Sequence, residues 1–171
     1  RAGVARPEKV LEDWLASNPK DAGVTIVLAE HRQRNGDVAG AIKLYEDALA
    51  LSPDNAVVLN NLAVLYQGKN DARDLEMAKR ASGLAPASPA LQDTYGWLLV
   101  ETGSLDEGLA LLRDAVRRMP GNAEVQYHYA VALAKSGDRA VALPILREAL
   151  AGELPAEAGA GAQKLIEELS R

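Results

Sequence analysis

The sequence predicts an all-α chain of stacked helix-turn-helix units. Three observations support this prediction: a proline spacing of 33 to 35 residues, capping residues that recur in the same register, and apolar residues at helical spacing. Five prolines keep the spacing, namely Pro19, Pro53, Pro86, Pro120 and Pro155. Because proline lacks an amide N–H and clashes with the preceding turn, each of them ends a helix.

Three further series mark where the helices of each unit start and stop. Side chains that can accept the free N–H groups at the start of the first helix stand at Asp21, Asn55, Ser88 and Asn122. Residues of the same kind precede the second helix at Asp37, Asp71, Ser104 and Asp138. Residues that tolerate the left-handed conformation end the first helix at Gly36, Asn70, Gly103 and Gly137. Each unit therefore contains a helix, a tight turn, a second helix and a closing proline.

The composition is suited to helices that pack closely. The hydrophobic share of 48% is enough for a continuous core, and Phe is absent, so the core must be mostly aliphatic. A single unit cannot bury its own apolar face, so neighbouring units must stack.

Charge and residue usage exclude several classes of function. The net charge of -5 comes from interspersed charges without a basic block, which disfavours nucleic acid as a partner. Cys is absent, so no disulfide or thiolate site can form. No apolar run approaches the roughly 20 residues that span a bilayer, so we expect no membrane contact by this chain. The chain begins with Arg1 rather than Met, so we expect it to be part of a longer protein.

The units resemble the tetratricopeptide repeat (TPR). That family has a small residue late in the first helix, Ala early in the second, a large apolar residue four positions later, then Ala and a closing Pro. One unit here supplies Ala29, Gly36, Ala41, Tyr45, Ala48 and Pro53, and another supplies Gly96, Gly103, Gly108, Leu112, Ala115 and Pro120. The resemblance implies a right-handed α-α superhelix in which Gly96 is a contact point between two helices. Tyr45, Tyr66, Tyr95 and Tyr129 are expected between the helices.

The repeats are expected at residues 20–53, 54–86, 87–120 and 121–155. The interval between Ala63 and Ala78 is one residue shorter than the corresponding interval of the preceding unit, from Ala29 to Tyr45. The second helix of that unit should therefore be short or shifted. Residues 1–19 are expected to be a half-repeat with Leu11 and Trp14 at apolar positions. Residues 156–171 are expected to form a terminal capping helix, frayed at its start by Gly159 and Gly161 and packed through Leu165, Ile166 and Leu169.

A narrower resemblance lies in three phrases, LNNLA at 59–63, DTYGW at 93–97 and YHYA at 127–130. They are similar to C-terminal repeats of the TPR lipoproteins found beside the exosortase (PEP-CTERM) system and exopolysaccharide genes of Gram-negative bacteria. This resemblance implies an envelope scaffold in the periplasm or anchored to the outer membrane. A cytoplasmic adaptor or co-chaperone is the alternative, and a spacer that self-associates through its repeat ends is another.

The TPR resemblance implies that first-helix side chains at the second, fifth, sixth, ninth, twelfth and thirteenth positions line a concave groove. The predicted partner-binding residues are Asn60, Asn61, Asp93, Thr94, Trp97, Tyr127 and His128. Hydrogen-bonding groups around one aromatic side chain suit an extended peptide or a partner helix. The alternative is that the polar groups are solvated and Trp97 packs on the adjacent first helix.

The remaining residue types give no basis for catalysis. Some TPR proteins hold a C-terminal carboxylate with Lys and Asn at the fifth and ninth positions, and that pair is missing here, which disfavours acidic chaperone tails. His31 and His128 lie about three repeats apart without a further metal ligand nearby. A hydrogen bond from His128 to Asp93 is predicted as a structural contact. We therefore expect no catalytic residues, no metal and no cofactor.

Overall fold

The computed structural model describes residues 7–171, which contain ten α-helices and no strand. The helices are α1 (Pro7–Ser17), α2 (Ala22–Arg34), α3 (Val38–Leu51), α4 (Ala56–Gln67), α5 (Asp74–Leu84), α6 (Pro89–Glu101), α7 (Leu105–Arg118), α8 (Ala123–Ser136), α9 (Arg139–Ala151) and α10 (Ala156–Leu169). They form two compact units, with α1 to α5 in the first and α6 to α10 in the second. The all-α fold class is confirmed.

The turns between paired helices have the predicted backbone. Gly36, Gly103 and Gly137 have φ angles of 80°, 95° and 95°, and Asn70 has a φ of 53°. Asn70 is the only non-glycine residue with positive φ among residues 7–171. The series of left-handed residues is therefore confirmed at all four positions, because only Gly, and to a lesser degree Asn, adopts this conformation cheaply.

Seven of the eight predicted capping residues divide into two groups, and the eighth, Asp71, lies three residues before α5 and accepts from the Arg73 backbone N–H at 3.1 Å. Asp21, Asp37, Asn55 and Asn122 accept hydrogen bonds from backbone N–H groups of the first helical turn. The side chains of Ser88, Ser104 and Asp138 occupy the same position but make no such bond, so the prediction is wrong for them. At Ser88 the next residue is Pro89, whose fixed φ already suits the first helical position.

The first unit is built around small side chains and one tyrosine. Ala29, Ala41, Tyr45 and Ala48 are fully buried where α2 and α3 meet α4, and Tyr66 of α4 is also buried. The second helix of the next pair, α5, has 11 residues and starts only at Asp74. The expected shortening of this helix is thus confirmed.

Helix α1 lies within the predicted half-repeat at residues 1–19 but does not pack as predicted. None of its residues is buried, and Trp14 is 52% exposed. The indole Nε1–H of Trp14 donates to Asp21 Oδ2 at 2.9 Å. The expectation that Trp14 packs at an apolar position is wrong, because the described neighbours of α1 cover only one side of it.

Glycines set the distance between α6 and α7 in the second unit. A Cβ atom at Gly96 would lie 3.0 Å from Leu111 Cβ and 3.1 Å from the Gly108 carbonyl oxygen. A Cβ atom at Gly108 would lie only 2.6 Å from the Gly96 carbonyl oxygen and 3.0 Å from the Val100 nitrogen. Gly96 is therefore confirmed as a helix contact, and Gly108 is the more restricted partner. Tyr95 and Tyr129 are half-buried.

Helix α10 packs on α8 and α9. Leu165, Ile166 and Leu169 lie against a cluster of Ala130, Leu146 and Ala162. A Cβ atom at Gly161 would lie 2.5 Å from the hydroxyl oxygen of Tyr127. Gly161 therefore admits the tyrosine, a packing role that the sequence did not indicate, whereas Gly159 has open space around its Cα.

Candidate functional site

Five of the seven predicted binding residues lie in the second unit, three on α6 and two on α8. The Trp97 and His128 rings stack with their centroids 4.5 Å apart and their planes 15° apart. The Tyr127 ring lies 6.1 Å from Trp97 at 46° and 5.9 Å from His128. We call Trp97, Tyr127 and His128 the aromatic cluster. Trp97 is half-buried and packs against the apolar group of Val100, Leu112 and Ala132.

The imidazole of the cluster is held by a buried carboxylate. His128 Nδ1 lies 2.9 Å from Asp93 Oδ2, and the two side chains are 12% and 10% exposed. An imidazole N–H can donate to a carboxylate oxygen, and the 2.9 Å distance is that of such a hydrogen bond. The predicted His128–Asp93 contact is confirmed. Asp93 Oδ1 is buried and has no hydrogen-bond partner among the described residues. This contact fixes the ring orientation of His128 and therefore the plane on which Trp97 stacks.

Thr94 and Tyr127 are partly engaged within their own unit. The Thr94 hydroxyl donates to the Ala90 carbonyl one turn earlier at 3.3 Å. The Tyr127 ring packs with the α10 cluster, and its hydroxyl approaches Gly161. Burial, followed by the nearby charges of Glu101 and Glu157, raises the pKa of Tyr127. Tyr127 therefore links the aromatic cluster to the terminal helix.

The other two predicted residues, Asn60 and Asn61, lie on α4 in the first unit. Asn61 Nδ2 donates to the Tyr45 hydroxyl at 3.0 Å, which in turn donates to Gln33 Oε1 at 3.1 Å. Burial raises the pKa of Tyr45. Asn60 Oδ1 is buried without a hydrogen-bond partner among residues 7–171.

This chain of hydrogen bonds borders a polar recess of about 470 Å³. Its lining residues are Glu30, Gln33, Arg34, Tyr45 and Asn61. We call it the polar recess. Sequence reasoning named only Asn61 as a binding residue here. Gln33 and Arg34 stand at the twelfth and thirteenth positions of their unit, which are among the positions expected to line the groove. Both residues could therefore have been predicted from the sequence.

The described residues offer no metal site and no membrane span. No group of three or more His, Cys, Asp or Glu side chains in residues 7–171 could hold a metal ion. Within the same residues, no helix is long and apolar enough to cross a membrane.

Comparison with known proteins places the chain in a family. A TPR repeat model matches residues 34–70 and a tetratricopeptide repeat model matches residues 99–166, together more than half of the chain. The chain belongs to the tetratricopeptide repeat proteins, which bind protein partners and are generally non-catalytic interaction scaffolds.

One curated relative is the TPR repeat-containing protein PA4667 of Pseudomonas aeruginosa, 29% identical over 124 residues. That match covers 70% of this chain but spans only 20% of the length of the relative.

Solved structures show the same fold at low sequence identity. PilW, a widely conserved type IV pilus biogenesis factor, has a TM-score of 0.71 at 20% identity, covering 93% of this chain and 79% of PilW. MamA from Desulfovibrio magneticus RS-1 has a TM-score of 0.70 at 16% identity, covering 94% of this chain and 84% of that one. These similarities establish the TPR solenoid fold.

Proposed function

We propose that the chain is a non-catalytic scaffold that binds a protein or peptide partner on the faces formed by its first helices. The observation that carries this proposal is the stack of Trp97 on His128, with the imidazole held by Asp93. A half-buried indole in a fixed orientation offers apolar area at little cost in side-chain entropy. Central aromatic side chains of this kind often dominate the energy of an interface.

The polar recess supports the same function in the first unit. Glu30, Gln33, Arg34 and Asn61 present a carboxylate, two amides and a guanidinium around one opening. Such groups can pair with the backbone N–H and C=O groups of an extended peptide. An extended peptide or a partner helix is therefore the proposed occupant of the first-helix faces.

The proposed setting is a larger bacterial envelope protein linked to exopolysaccharide or surface-protein export. The phrases at 59–63, 93–97 and 127–130 support it through their resemblance to exosortase-associated TPR lipoproteins. PilW, as a type IV pilus biogenesis factor, is an example of this fold in an envelope process. A cytoplasmic adaptor or co-chaperone is the alternative, and a signal peptide ending in a lipidated Cys upstream of this chain would decide between them.

Self-association is a second candidate function, favoured by the open surface of α1. Val10 and Trp14 are 54% and 52% exposed, and no residue of α1 is buried. Light scattering at several protein concentrations tests it, because a stacking module gains mass with concentration and a monomeric binder does not.

The binding proposal is tested with Trp97→Ala in a pull-down from the native envelope, followed by titration of the captured partner. We expect unchanged helicity and an affinity lower by about 2 kcal/mol, or roughly 30-fold. Trp14→Ala is the matched control, since it removes an exposed indole from α1 and should leave the affinity unchanged. An affinity of Trp97→Ala equal to that of the parent chain would refute the proposal.

A further inference from the structure

The late start of α5 alters the second-helix side of the first unit. After Asn70 and Asp71 the chain continues outside the helix through Arg73, and α5 begins at Asp74. In the preceding pair, α3 begins directly after its cap residue Asp37. Because this unit is one residue shorter, α5 lacks the first turn that α3 has, and Arg73 lies outside the helix.

Arg73 closes one end of the space that results. Its guanidinium lies 4.1 Å from the centroid of the Tyr66 ring and pairs with Glu46 at 2.9 Å and with Asp71 at 2.8 Å. The Tyr66 hydroxyl donates to the same Glu46 carboxylate at 2.7 Å. Glu46 is thus already engaged by two donors, and its charge is compensated by Arg73.

A pocket of about 370 Å³ lies between α3 and α5. Its floor is mostly apolar and includes Leu49, Pro53, Leu62 and Met77, with the Tyr66 ring beside them. We call it the α3–α5 pocket. Its size and lining suit one apolar side chain of a partner, because burying such a side chain removes apolar surface from water on both molecules.

The rim of the pocket carries an arginine that forms no ion pair among residues 7–171. Arg80 lines the pocket and donates to the Pro53 carbonyl oxygen at 3.0 Å. No carboxylate among residues 7–171 lies within ion-pair distance of its guanidinium. A guanidinium has several N–H donors, so most of those on Arg80 remain available to a ligand. Arg80 is therefore the charged group of the rim that can still form an ion pair with a ligand carboxylate, whereas Arg73 is already paired with Glu46 and Asp71.

We propose that the α3–α5 pocket is a second protein-binding site, which takes an apolar side chain with an Asp or Glu next to it on an extended partner segment. The apolar side chain fills the space above Leu62 and Met77. The adjacent carboxylate pairs with Arg80, whose guanidinium suits a two-pronged contact with a carboxylate. This site is lined by α3, α5 and, through Leu62 and Tyr66, by α4, whereas the faces proposed above carry Asn61 and the aromatic cluster.

The test is a methyl and amide NMR titration of the whole chain with three capped pentapeptides at millimolar concentration. The probes are Gly-Glu-Leu-Glu-Gly, Gly-Lys-Leu-Lys-Gly and Gly-Glu-Gly-Glu-Gly. We expect the first peptide alone to shift the signals of Leu62 and Met77 saturably. Absence of shifts with that peptide, or equal shifts with the lysine peptide, would overturn the proposal.

Three variants separate the contributions. Arg80→Gln should weaken binding of the glutamate–leucine peptide about tenfold, and Ala50→Trp, which fills the pocket from its edge, should abolish it. Arg118→Gln is the matched control, because Arg118 also donates to a turn carbonyl, that of Ala87, but already pairs with Asp114. Thermal unfolding checks that each variant is folded. Unchanged binding by folded Ala50→Trp, or an equal loss in Arg118→Gln, would contradict the assignment.

Discussion

The contact between Gly96 and Gly108 allows a sharp test of how α6 and α7 pack. In Gly108→Ala the new Cβ atom would lie 2.6 Å from the Gly96 carbonyl oxygen and 3.0 Å from the Val100 nitrogen. Both are backbone atoms, which cannot move without displacing the whole helix. The clash therefore has to be relieved by separating α6 from α7.

The expected magnitude is the difference of two opposing terms. Alanine is favoured over glycine in a helix by about 1 kcal/mol. Overpacking typically costs about 1–3 kcal/mol, and a contact to rigid backbone belongs at the upper end. The free energy of unfolding of Gly108→Ala should therefore fall by about 2 kcal/mol. For a chain of this length that corresponds to a decrease in Tm of about 4–8 °C.

The assay is urea and thermal unfolding followed by circular dichroism. Gly159→Ala is the matched control, since it makes the same chemical change inside α10 with nothing within 4 Å of the new Cβ. It should raise the free energy of unfolding by about 0.5–1 kcal/mol. If Gly108→Ala were as stable as the parent chain, the packing of α6 on α7 derived above would be wrong.

Two other predictions follow from single side chains. Asn122→Ala should lower the free energy of unfolding by about 1 kcal/mol, because Asn122 caps α8. Ser88→Ala should change it by less than about 0.5 kcal/mol, because Ser88 makes no cap bond. Equal losses of the two variants in urea unfolding would contradict this prediction. Burial raises the pKa values of Tyr45 and Tyr66, so the folded state favours the neutral phenols and stability should be lost as pH rises above about 10. Unfolding measured from about pH 9 to 11 should show a shallower loss for Tyr45→Phe, and an unchanged slope would refute it.

Local features of the fold could be predicted because they depend on single residues and their spacing. The left-handed positions at Gly36, Asn70, Gly103 and Gly137 follow from residue type alone. The short α5 follows from one missing residue between Ala63 and Ala78. The His128–Asp93 bond was predictable because stacking of the repeats places the fifth position of one first helix, Asp93, beside the sixth position of the next, His128.

Side-chain orientation was less predictable, since residue type states what a group can do and not which way it points. Ser104 and Asp138 are capping residues by type, yet their oxygens make no cap bond. The residue type and spacing of Trp14 predicted a core position, but its side chain is half exposed. Gly161 was expected only to weaken the start of α10, but its lack of a side chain leaves room for the Tyr127 hydroxyl.

The sequence by itself determined the fold class, the helix order and the turn residues, because these follow from a period of about 34 residues. The candidate binding positions came from the resemblance to the TPR family. Only the tertiary structure decided how those positions are used. The stack of Trp97 on His128, the polar recess beside Asn61 and the α3–α5 pocket each depend on side chains from different helices. Such contacts arise from the distance and rotation between helices, which in this chain are set by close packing at residues such as Gly96 and Gly108.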